Sequence, residues 1–385
     1  MRSEEDLIRT LHTAAGHAEP EPTLAASVAA RRRSRRREGW ARTALAAAAV
    51  VLVAGGTTVV LSDGGGRARP AAEVTRGVEQ AAEVWPEAMF TVPGTAVDGR
   101  EYQPMAAISP AEVLVSAVAP GVKPDRLEVF DTGIRQFRTV TSMPKPNVPG
   151  YRFRDVKARD NHIVWWGETP HAGEGAWADF WYVPRAGGES GHVAKLTGEL
   201  AQVDAVDITG DHIVFSVERG GVYRLPLTGG KPEKIKGTDG LHLRSWPLAA
   251  GYTAGESHER NQNRTVNLET GRSADVSVPS GARGLICGIQ WCAGVLDGGP
   301  FRQRPDGSDR RPIPADLRPL VFEGLPADRF VLGRLSSGPV IQALYDLTTE
   351  EVVGLDEAEF GGGVPTVFSW REGSNLTVVN LLAVM

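Results

Sequence analysis

The stretch from Gly210 to Ile235, GDHIVFSVERGGVYRLPLTGGKPEKI, constrains this chain more than any other. It reads as three short strands joined by two glycine turns. An echo, DNHIVWWGETPHAGEGAWADFWYVPRAGGESGHVAKL, lies about fifty residues upstream. The turn that ends a strand recurs at Gly133, Gly187–Gly188, Gly229–Gly230, Gly271, Gly307 and around Thr349. The spacing, about 36 to 54 residues, is that of a repeat architecture. Glycine suits these turns because a hairpin must visit positive φ, which few residues adopt cheaply.

A pair of apolar strands precedes each turn. The pairs are EVLVSAV with RLEVFD, HIVWWGE with DFWYVP, HIVFSVE with GVYRLPL, and PLAAGYT with RTVNLE. WCAGVLD with PFRQRP, RFVLGRL with IQALYDL, and TVFSWRE with NLTVVNL follow. That gives seven hairpins, and the last ends with the chain, lacking a further strand. A sheet that stops exposes unpaired backbone groups, and a ring of sheets can be sealed by a strand from the other terminus. The apolar segment EAMFTVP, residues 87–93, is expected to complete the last sheet.

Short four-stranded units with x-P-x-x-GG or D-x-TG turns resemble the TolB-like and WD-repeat-like β-propellers of bacterial exported proteins. The resemblance covers about Glu83 to Met385, without the Trp-Asp dipeptide of true WD repeats. It implies an all-β propeller, with seven blades preferred and six as the alternative.

The amino terminus points to a membrane. Residues 43–62, TALAAAAVVLVAGGTTVVLS, carry no charge, and at 1.5 Å per residue they span roughly 30 Å, the thickness of a bilayer core. Seven arginines lie between Arg31 and Arg42. Residues 1–42 hold nine Lys+Arg and six Asp+Glu, a net of +3, which leaves −8 of the total −5 to the rest. This asymmetry orients the amino terminus towards the cytoplasm. A cleaved signal peptide would have an unusually long charged leader, and a buried soluble helix would leave the arginines unexplained. The expected division is a cytoplasmic segment at 1–42 with a short amphipathic helix, a transmembrane helix at 43–62, a linker at 63–84 and the extracytoplasmic ring at 85–385. Within the linker, residues 71–84 could form a short helix. Arg31–Arg37 would bind anionic lipid rather than nucleic acid.

The two cysteines, Cys287 and Cys292, then fall where disulfides persist. A straight strand would hold them about 16 Å apart, so a bridge requires a turn near Gly288. Zinc would need further ligands that no nearby histidine pair supplies.

Catalytic motifs are missing: there is no G-x-S-x-G elbow, no H-E-x-x-H, no phosphate-binding glycine loop and no EF-hand. His162 and His212 occupy matching repeat positions, which suits a structural role. His171 and His258 lie in polar insertions that could meet a ligand. The densest feature is aromatic, with Trp165, Trp166, Trp177, Phe180, Trp181 and Tyr182 in one hairpin. Alternation puts Trp165 and Trp166 on opposite faces. Packing between sheets accounts for such rings; an exposed platform for a glycan or peptide, made by Trp165, Trp166, His171, Trp177 and Trp181, is the functional alternative.

These features lead to a non-enzymatic binding or sensing module in the cell envelope, with an unknown envelope protein or glycan as partner and no cofactor or metal. The arrangement of cytoplasmic helix, anchor and external domain also resembles membrane-bound anti-sigma factors, which would make a sigma factor a partner of residues 1–42. An enzyme, a hydrolase or lyase, would need acids or histidines converging at one mouth of the ring, and no catalytic residue is singled out.

Overall fold

Each of the seven hairpins read from the sequence is the middle pair of a small antiparallel sheet. The computed structural model describes residues 78–384 apart from 120–123, 145, 147, 170–174, 256–258, 321–323, 337–341, 356–357 and 360–363. The sheets are blades of a seven-blade β-propeller, and the six-blade alternative falls away. Blade 2 shows the pattern: Arg152–Arg159 innermost, then His162–Glu168, Trp177–Pro184 and Gly191–Thr197. Blades 1, 3, 4, 5 and 6 begin with innermost strands Glu101–Ser109, Val203–Thr209, His242–Ser245, Arg283–Cys287 and Leu317–Pro319. Successive innermost strands touch, as where Arg159 Nη2 reaches Asp207 Oδ2 at 3.2 Å between blades 2 and 3.

Blade 7 closes the ring. Its strands Val367–Glu372 and Asn375–Asn380 are flanked inside by a single bridge between Glu359 and Ser369. Outside, the amino-terminal strand Met89–Pro93 pairs antiparallel with Asn375–Asn380, Met89 opposite Val379 and Pro93 opposite Asn375. A proline is tolerated there because the outermost strand has one edge without a ladder.

Side chains alternate between the two neighbouring blades, so most strands are buried on both faces. Trp165 packs with Met105, Leu114 and Leu127 of blade 1, whereas Trp166 packs with Val203, Ile208 and Phe215 of blade 3. Burying such a ring contributes on the order of 2–3 kcal/mol. Gly167 follows them for a steric reason: a Cβ there would stand 2.2 Å from the Tyr151 hydroxyl. That hydroxyl donates to Asp179 Oδ1 at 2.7 Å.

Of the expected helix over 71–84, residues 78–84 are described and only Ala81–Val84 is helical; Gln80, which bridges to Gly354, is extended and its backbone N–H donates to Glu83 Oε2 at 3.3 Å. Cys287 and Cys292 stand opposite each other in blade 5, Cα atoms 3.9 Å apart, and form a disulfide. The chain turns between them, Gly288 donating its N–H to Trp291 O at 2.8 Å. Among the described residues no helix is long and apolar enough to cross a membrane. The segments 1–42 and 43–62 and most of the linker lie outside the described residues, as do His171 and His258.

Candidate functional site at the inner edge of blades 3 to 5

Two short innermost strands bring an acid and an imidazole together. Asp204 is the second residue of its strand in blade 3, and His242 is the first of its strand in blade 4. Asp204 Oδ2 lies 2.5 Å from His242 Nδ1. Ser216 Oγ donates to the other carboxylate oxygen, Oδ1, and accepts the Leu243 N–H at 2.9 Å. A carboxylate oxygen accepts, so His242 Nδ1 is the donor of this contact. The His242 and Asp204 side chains are 13% and 18% exposed.

His242 lies edge-on to Tyr252, their ring centroids 5.4 Å apart. The Tyr252 oxygen accepts from Arg244 Nη1 at 2.6 Å and from Gln262 Nε2 at 3.2 Å. The Gln262 carbonyl oxygen in turn accepts the Cys287 N–H of blade 5 at 2.6 Å, which fixes which way the amide faces. A second guanidinium, that of Arg260, stands 5.4 Å from the centroid of the Tyr252 ring. Its Nε is buried and has no hydrogen-bond partner among the described residues. Arg244 is held close to the backbone opposite: a Cβ on Gly324 would lie 3.2 Å from Arg244 Nη2. The result is an imidazole, a phenol and two cations in one place.

The structure places the sequence candidates elsewhere. Trp165 and Trp166 are 1% and 5% exposed, so neither presents a surface. Trp177 and Trp181 are half-buried; Lys195 Nζ sits 4.1 Å over the Trp177 ring, and Trp181 Nε1 donates to Asp179 Oδ2 at 2.9 Å. His162 and His212 both begin the second strand of a blade and face a proline, Pro184 and Pro226, in equivalent register. Among the described residues no group of three or more His, Cys, Asp or Glu is placed to hold a metal ion. Asp204, His242, Arg244, Tyr252 and Arg260 carry no motif, and nothing in their sequence spacing marks them as neighbours.

No family model matches the chain, and no curated protein matches it. Solved structures do. An oligogalacturonate lyase from Vibrio parahaemolyticus is 12% identical, with a TM-score of 0.43 over 60% of this chain and 74% of its own. An oligogalacturonate lyase in complex with manganese is 14% identical, with a TM-score of 0.45 over 73% of this chain and 88% of its own. YCF48 bound to a D1 peptide is 13% identical, with a TM-score of 0.45 over 76% of this chain and 97% of its own. The likeness is one of fold. The expectation of a non-enzymatic binding or sensing module finds no support in these neighbours, two of which are lyases by name. A histidine and an acid converge at the inner edge of the ring.

Proposed function

We propose that the ring is an enzyme performing acid–base chemistry on an anionic substrate at the inner edge of blades 3 to 5. The observation that carries this reading is the Asp204–His242 pair beside Tyr252. His242 Nε2 takes a proton from the substrate, while Asp204 holds the ring and stabilises the imidazolium that forms. Tyr252 supplies a proton to the departing or developing negative centre. Arg244 and Arg260 hold the substrate anion; a water-poor setting strengthens such contacts.

The test is incubation of the purified full chain with a panel of acidic oligosaccharides and acidic peptides, with products read by mass spectrometry. Turnover that falls about a hundredfold or more in His242→Gln, with the unfolding midpoint retained, supports the assignment. No product across the panel, or an equally active His242→Gln variant, sinks it.

We further infer that the ring is displayed outside a membrane on the 43–62 span, with Arg31–Arg37 on the cytoplasmic side. The charge asymmetry of the sequence supports this, as does a disulfide in the ring, since such bonds persist in oxidising compartments. Protease added to intact cells should digest the ring and spare residues 1–42; a fully protected chain would refute the orientation.

A further inference from the structure

We propose that the cavity between blades 5 and 6 binds a free amino acid with a large apolar side chain. The cavity has a volume of 250 Å³ and apolar walls that include Ile286, Val295, Ile313, Leu320 and Phe330. An apolar cavity of about 150 Å³ already accepts benzene, so a benzyl or isobutyl group has room here. Arg283 and Glu259 line the same cavity.

The chemistry of that pair selects the ligand. Their side chains are 61% and 48% exposed, and Arg283 Nη1 stands 3.8 Å from Glu259 Oε1, longer than a hydrogen bond. The Gly284 N–H donates to the Glu259 carbonyl at 3.3 Å, which ties the two segments together. A carboxylate would take the Arg283 fork, an ammonium would take Glu259, and the side chain would enter the apolar space. A fatty acid or a simple amine would satisfy one charge and leave the other facing a like group or nothing. Both charges on one carbon next to an apolar group is the description of an α-amino acid. Neither Arg283 nor Glu259 takes part in the acid–base cluster, although Glu259 directly precedes Arg260 in the chain.

The experiment is calorimetric titration and thermal unfolding of the full chain with L-phenylalanine, L-leucine, phenylacetate and phenethylamine. Both amino acids should bind and raise the unfolding midpoint by mass action. The two singly charged analogues should bind about tenfold more weakly or worse. Arg283→Gln and Glu259→Gln, both at exposed positions, should each weaken L-phenylalanine binding about tenfold and leave the unliganded midpoint unchanged. Absence of binding by either amino acid up to about 10 mM overturns the proposal. So does equal binding of the analogues, or undiminished binding by both variants.

Discussion

Val92 stands opposite Leu376 across the seam that closes the ring, and it is 2% exposed. It belongs to a cluster with Val113 and Val115 of blade 1 and Val367 and Val378 of blade 7, so one amino-terminal side chain joins the first blade to the last. Placing a charge there strips a carboxylate of water without a partner. Val92→Asp should lower stability by about 3 kcal/mol or more, read by urea unfolding. A variant with wild-type stability would mean that the ring does not depend on this strand.

Arg302 offers a second test, in the wall between blades 5 and 6. It is 1% exposed, donates from Nη1 to Leu347 O at 3.0 Å, and lies 4.2 Å over the Trp291 ring. Its Nη2 pairs with Glu350, which is partly exposed, so the ion pair itself is screened. Arg302→Ala should cost about 2–3 kcal/mol, mostly through the lost buried hydrogen bond and ring contact. Equilibrium denaturation measures it; a loss under about 0.5 kcal/mol would contradict the packing.

Asp328 makes stability depend on pH. Burial pushes its carboxyl above the ordinary carboxylate value, against a smaller downward pull from the Ile289 N–H, which donates to Oδ2 at 2.9 Å. A group raised in the folded state contributes stability below its unfolded value and loses it as pH rises through the folded value. Asp328→Asn keeps an acceptor for Ile289 and tolerates the positive φ of 58° at this position. The variant should therefore be more stable than the parent at about pH 7, with the gain shrinking towards about pH 4. A gain that grows on acidification would show that the sign is wrong.

The disulfide closes only a tight turn. Loop-closure entropy for so few residues amounts to about 2 kcal/mol. The double variant Cys287→Ala, Cys292→Ala should lose about that much in chemical denaturation, and the parent should resist alkylation until it is reduced. Free thiols in the unreduced parent would remove the bridge from the account.

Much of the ring was legible because alternation and turn chemistry are local. His162–Glu168 and Trp177–Pro184 announce themselves by apolar residues on both faces, and the glycines after Pro184 end the second strand. The missing partner of Asn375–Asn380 could be sought in Met89–Pro93 because an unpaired edge is a physical debt that some segment must meet. The innermost strands were harder. His242–Ser245 and Leu317–Pro319 are too short for a period to register, and the outermost Glu233–Lys234 and Arg311–Pro312 are shorter still.

By itself the sequence determined the repeat, the number of hairpins and the strand that seals them, since each follows from hydrophobic period and positive-φ turns within a few residues. Which polar side chains meet was decided by the tertiary structure alone. Asp204 and His242 come from different blades, and their approach depends on how far each sheet is rotated against the next. The same is true of Trp165 and Trp166: packing between sheets accounts for them in the sequence, but which blade each one meets follows only from the assembled ring. Contacts of that kind are set by the closing of the ring, which no local pattern encodes.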